Sequence, residues 1–303
     1  MSRLVDIPAI PPQTGEVADL LDLLQSVEHL VPRKSSVVLP SWRRQVRLHD
    51  APPLGDVCSV SPLEPVGAAD GIQRSRLITV RSGRPIWLAA VSAGVANYGE
   101  RVLIADADLY LIGSHLDEAW MRDRPGGVPT AVLDAVDPGT LVADFEHTLQ
   151  EHRWQLEARV VRRAVEHGTV VVDGSIDRYT AEHGDRVVGV VKSLATPYLT
   201  DESELRRLGE GCCSQVFTLP AERRPQLDRA SSYLRLHDPG FSHGTFGVVR
   251  LEAVDPDQLA PLAAWACTQR QGPSSGDTRW PVHLASIAWV ERVLRARFDR
   301  FWR

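Results

Sequence analysis

The stretch GTVVVDGSIDRY, residues 168–179, constrains the fold of this chain more than any other. Three consecutive β-branched apolar residues, Val170 to Val172, read as a buried strand, because a strand with one wet face alternates apolar and polar side chains. The run follows a segment with helical character over 140–167, for which Gly168 is the stop signal. It closes on Asp173-Gly174, which leaves two readings. Asp-Gly is the favoured pair of a tight hairpin turn; alternatively, Asp173 holds a metal at the strand end. PVGAADGIQRSRLITV, residues 65–80, repeats the pattern: Asp70-Gly71 follows small apolar residues and precedes an arginine-containing strand.

Around these two points the chain divides unevenly. Leucines at helical spacing over 16–30, after a candidate N-cap at Thr14, predict a helix, and 31–65 reads as an irregular connector. The expected organisation is an N-terminal helical and irregular extension over 1–60 and one domain over 61–303. Strands are expected at VGAAD, SRLITVRSG and RPIWLAAVSAGV, joined by short turns and antiparallel, followed by a variable region containing Pro125, Gly126 and Gly127. After the 140–167 helix and TVVVDG come strands at 186–194, CSQVFTL, SSYLRLH and FGVVRLEAV, then helices over 256–268 and 281–299. The expected class is α/β, a mixed sheet with helices packed against it.

The chain has 303 residues, 43% of them hydrophobic and 24% charged, which is globular composition with material for a large core. No stretch approaches the roughly 18 apolar residues of a membrane span. MSRLVDIPAIPPQTG lacks the apolar centre of a signal peptide, and four cysteines make neither a disulfide framework nor a CxxC pair. A cytoplasmic protein is expected. The net charge of −5 argues against a generally basic surface but leaves room for a local DNA groove. Lys34 and Lys192 are the only lysines, and the sequence has no P-loop, no GxSxG elbow, no HExxH and no GxGxxG. Acidic residues at strand ends are the remaining chemistry.

Oxygen ligands suit Mg²⁺ and Mn²⁺, and phosphodiester hydrolysis commonly uses two such ions held by a few carboxylates. Asp70 and Asp173 are candidates; for Asp70 a turn or N-cap role is the alternative. A third is Glu157 in RWQLEARVV, which borders the apolar side marked by Leu156, Val160 and Val161. Its alternative is a salt bridge to Arg153 or Arg162.

Taken in order, AADG, LEARVVRRAVEHGTVVVDGSI, VVGVVKS, YLRLH, GVVRLEAV and RWPVHLASIAWVERV resemble the NurA nucleases over about 66–298. The resemblance implies an RNase H-like fold and a Mn²⁺-dependent (or Mg²⁺-dependent) two-ion deoxyribonuclease. The implied activity is 5′→3′ exonuclease with single-strand endonuclease activity, in end resection and double-strand break repair or in phage defence. It also implies a homodimer working with a HerA-type hexameric ATPase, which fits the missing P-loop. Carried over by position, it makes Asp70, Glu157 and Asp173 catalytic metal ligands and places Lys192 on phosphate. Lys192 is otherwise a solvated strand-end lysine. Arg235 and Arg250 fall where the family has arginines, to face DNA or to pair with acids. The last motif departs from the family, which has Ala-His on its final helix. Here Ser286 occupies that slot, and His283, Glu291 or no residue takes over as ligand. The alternative that follows is a weakened scaffold subunit that binds DNA and motor without cleaving.

Overall fold

One long strand organises the molecule. In the computed structural model, which describes residues 47–48, 53–123, 127–135, 137–179, 183–193, 198, 202–219, 228–238, 245–272 and 280–301, Gly67–Arg81 is continuous. Its first residues are small (Gly67, Ala68, Ala69), so helices can close on both of its faces. Among the described residues the strands are β1 (Arg47–Leu48), β2 (Gly55–Asp56), β3 (Gly67–Arg81), β4 (Arg84–Ala96), β5 (Ile104–Ser114), β6 (Thr130–Leu133), β7 (Val170–Asp173), β8 (Val187–Val191), β9 (Cys212–Cys213), β10 (Phe217–Leu219), β11 (Arg229–Arg235) and β12 (Val248–Ala253). The α-helices are α1 (Glu118–Arg122), α2 (Pro138–Ala164), α3 (Glu202–Arg207), α4 (Leu259–Thr268) and α5 (Ala285–Phe301).

The strands form one mixed sheet in the order β1-β10-β11-β12-β8-β7-β3-β4-β5-β6, with β2 and β9 attached beside β11. β3, β4 and β5 are an antiparallel meander, while β7 runs parallel to β3 and β8 parallel to β7. The α/β expectation holds at this level. The Asp173-Gly174 hairpin is excluded, because β7 and β8 run in the same direction.

Helix α2 covers one face. It starts at Pro138, whose fixed φ suits a first helical position. Its buried stripe of Leu141, Phe145, Leu149, Leu156, Val160 and Ala164 packs on Ala69, Val91, Val170 and Val172. The other face is covered by α4 against Val188, Val190 and Leu251, and by α5, whose Val290, Leu294 and Phe298 pack on Ile72 and Ala90. Burial of such side chains stabilises by about 1.5–3 kcal/mol each.

Three expectations change. VGAAD and SRLITVRSG are one strand, β3, rather than two. The third strand of the meander is β5, inside the region read as variable. Its Asp106 and Asp108 point to α2 and pair with Arg163 at 2.7 Å and Arg159 at 2.6 Å; these carboxylates break the apolar pattern by which strands are recognised. Finally, the described residues before 61 (47–48 and 53–60) do not stand apart from the domain: β1 pairs with β10, β2 pairs with β9, and Val57 is fully buried in the core. The helix expected over 16–30 lies outside the described residues. Among the described residues no helix is long and apolar enough to cross a membrane.

Candidate active site

The site forms where β7 stops and β3 continues. The pairing Gly67↔Val170, Ala68↔Val171 and Ala69↔Val172 brings Asp70 and Asp173 to corresponding places on neighbouring parallel strands. Side chains alternate along a strand. Both aspartates therefore project from the face of Ala68 and Val171, beneath α4 and α5.

Glu157 arrives from α2 on the opposite face and reaches β3 beside Gly71. A Cβ on Gly71 would lie 2.8 Å from Glu157 Cγ and 2.9 Å from Cδ, so only glycine admits the carboxylate there. Arg153, one turn earlier, donates to the Gly71 carbonyl at 3.1 Å and lies 3.5 Å from Glu157 Oε1. The Arg153 pairing foreseen for Glu157 and its closeness to the aspartates thus coexist.

The electrostatics are those of acids facing acids. Burial, then Asp173 and Glu157, push Asp70 up from 3.8 to about 8, against the counter-charge of Lys192. Glu157 is pushed up from 4.5 to about 7, first by burial, with Arg153 opposing and Asp173 adding to it. Asp70 is 8% exposed and accepts the Gly71 N–H at 2.8 Å. Asp173 is the open member, paired to Lys192 Nζ at 2.8 Å. Arg178 stacks on Trp154, its Cζ 3.3 Å from the ring centroid, and acts on Glu157 as a further positive charge.

The hard oxygen donors of Asp70, Glu157 and Asp173 fit Mg²⁺ or Mn²⁺ by their chemistry, because a cation relieves both the repulsion and the burial of charge. The carboxylates must still close in. Among the described residues no three His, Cys, Asp or Glu side chains stand in ligating reach of one point.

The three positions open in the last motif separate cleanly. Ser286 is buried and structural: its Oγ donates to Gln269 Oε1 at 2.7 Å and accepts the Tyr98 N–H at 3.1 Å. His283 lies before α5, between a 3₁₀ turn at 280–282 and the Arg270↔Leu284 bridge. Glu291 lines a cleft of about 340 Å³ with Gly71, Gln73, Gln150, Arg153 and Arg295, and it pairs with Arg295 at 2.6 Å.

Two arginines expected to face DNA lie inside. Arg235 is fully buried, and its guanidinium donates to the carbonyls of Leu208 at 2.7 Å, of Leu205 at 2.5 Å and of Phe246. Arg250, 7% exposed, pairs with Glu252 at 2.7 Å. Arg250 thus takes the alternative foreseen for it, pairing with an acid, while Arg235 is held by backbone carbonyls. Residues not anticipated from the sequence are Arg178 beside the acids, and Arg229 and Glu252, which form a charged group with Arg250. The visible signal for the group was the charged pair inside an otherwise apolar strand, VVRLEA. No protein-family model matches this chain, and no curated protein matches it either.

Proposed function

We propose that this chain is a divalent-metal-dependent deoxyribonuclease with an RNase H-like core, related to the NurA nucleases. The observation that carries the reading is the convergence of Asp70, Glu157 and Asp173, from two parallel strands and a crossing helix, at the point where β7 ends. The strand order β5-β4-β3-β7-β8, with its meander followed by parallel strands, supports the RNase H-like assignment. Bound Mn²⁺ or Mg²⁺, two ions in this reading, would supply Lewis-acid activation of water and charge neutralisation at the leaving oxygen. Asp70 and Asp173 would hold them from the sheet side and Glu157 from α2. Lys192, Arg153 and Arg178 then anchor the phosphodiester backbone, and the cleft beside Gly71 and Glu291 receives the strand. In this reading the chain degrades DNA ends 5′→3′ and cuts single strands as a homodimer in the cytoplasm. A separate HerA-type hexameric ATPase supplies the motor, in break repair or phage defence.

A second reading, a scaffold subunit that binds DNA and motor without cleaving, is favoured by one observation: Ser286, in the slot of the last motif, is fixed to Gln269 and Tyr98. Cleavage of end-labelled linear DNA, single- and double-stranded, with Mn²⁺, Mg²⁺ or EDTA separates the two. The nuclease reading expects metal-dependent loss of label by the wild type and none by Asp70→Ala. Intact DNA in every lane, also with a HerA-type partner and ATP, leaves the scaffold.

A further inference from the structure

We propose that Glu252, buried between Arg229 and Arg250, is a positioning residue: it fixes the 174–178 loop so that Asp173 and Arg178, at the two ends of that loop, face Glu157. The inference rests on the metal-nuclease reading and deepens it. Glu252 is fully buried on β12, and one of its oxygens grips the loop directly. Oε2 accepts the Ser175 hydroxyl at 2.8 Å, the Ile176 N–H at 3.1 Å and Arg229 Nη1 at 3.0 Å, while Oε1 accepts Arg250 Nη2 at 2.7 Å. Arg229 Nη1 also donates to Ser175 Oγ, and its Nη2 lies 3.5 Å from Asp177.

The same loop is seated independently by β8. Gly189 pairs with Val172 on one side and Glu252 on the other. A Cβ there would lie 2.5 Å from the Gly174 carbonyl oxygen and 2.9 Å from Ile176 Cγ2, so the loop lies directly on the Gly189 backbone. The Gly174 N–H donates to Val190 O at 2.9 Å.

Stability alone does not account for this arrangement. Removing three charges from water is unfavourable, and apolar side chains of similar volume commonly do as well or better. Among the described residues the Nε atoms of Arg229 and Arg250 are buried without a hydrogen-bond partner, a defect an apolar cluster would lack. What such a group supplies is one backbone conformation, and the backbone it holds is the one that leaves Asp173.

The test measures Mn²⁺ affinity calorimetrically on the full chain, for wild type, Glu252→Gln, Ser175→Ala and a remote core truncation, Leu262→Ala. Supporting residues around a metal site typically change affinity by about 10- to 100-fold. Glu252→Gln is expected to weaken Mn²⁺ binding within that range and Ser175→Ala by a smaller factor. Leu262→Ala should lower the melting temperature and leave the affinity alone. If Glu252→Gln does not fold, Ser175→Ala, which removes one hydroxyl, decides alone. Wild-type affinity in the folded loop variants overturns the inference, as does an equal loss in Leu262→Ala. A wild type that binds no Mn²⁺ brings down the metal reading itself, and the inference with it.

Discussion

Two charged clusters sit on this sheet, and they differ in what surrounds the carboxylates. Glu252 lies between Arg229 and Arg250, and all its hydrogen bonds are made within the protein. Asp70, Glu157 and Asp173 face one another instead, and burial together with mutual repulsion pushes Asp70 and Glu157 well above the usual carboxylate range. A paired buried charge fixes structure. A buried charge facing its own kind is relieved by a proton or by a cation from outside, which makes such a cluster a candidate metal site.

The sharpest way to break this contrast is to remove one member from each kind of site. Asp173→Ala should abolish metal-dependent cleavage, a loss exceeding about a hundredfold since it removes a ligand rather than a supporting group. Its metal-free melting temperature should hold or rise, because Asp173 adds repulsion to both neighbours. Arg235→Ala should do the reverse. It strands three carbonyls now served by a charged donor and should cost about 4 kcal/mol of stability, while molecules that fold still cleave. Denaturant melts and cleavage assays on both variants check the pair; a folded Asp173→Ala that still cleaves would remove the aspartate from the site.

The acid cluster also predicts an unusual pH response. Asp70 and Glu157 have folded values raised to about 8 and about 7, against 3.8 and 4.5 ordinarily, so the fold favours their protonated forms. That stability is fully present below the ordinary values and is lost as pH rises through the folded ones. Metal-free protein should therefore lose stability between pH 6 and pH 8, by about 3 kcal/mol at roughly 1.4 kcal/mol per unit. Mn²⁺ should restore most of it, and Asp70→Asn should flatten the metal-free curve. Melting temperatures across that range, with EDTA or Mn²⁺, decide it; a flat wild-type curve would mean the acids are not crowded.

What could be read in advance follows from where each residue's partners lie. Val170 to Val172 announced their strand because β-branched runs carry the signal locally, and Asp173 could be placed at its end for the same reason. The matching Asp-Gly endings made Asp70 and Asp173 joint candidates, the ordered motif series gave them one role, and the parallel register of β3 and β7 supplies the geometry. β5 was missed because Asp106 and Asp108 are matched by arginines 57 and 51 residues further on. The burial of Arg235 left no trace, since it donates to backbone carbonyls in two other segments and any residue type supplies a carbonyl. Glu252 was equally silent, since it is explained by a loop beside Asp173, whereas Glu291 could be named from the last motif although the cleft it lines exists only once α2 and α5 flank β3.

The smallest effect concerns the cations, and it separates those at the surface from those inside. Lys192 pairs with Asp173 at 2.8 Å, with 20% of its side chain still exposed. When a cation takes up Asp173, the Lys192 ammonium loses its partner and can turn to phosphate. On single strands each phosphate contact adds about 0.7 to the slope of log affinity against log salt. Lys192→Ala should therefore lower that slope by about 0.7 on single-stranded DNA, in Mn²⁺ with cleavage blocked by Asp70→Ala in both proteins. Between 50 and 200 mM salt this amounts to a change of about two- to threefold. Lys192→Arg should keep the slope, as should Arg235→Ala, whose guanidinium never meets solvent. An unchanged slope in Lys192→Ala would return that residue to a purely local role, neutralising Asp173. A changed slope in Arg235→Ala would mean that the line drawn here between interior and surface charge is in the wrong place.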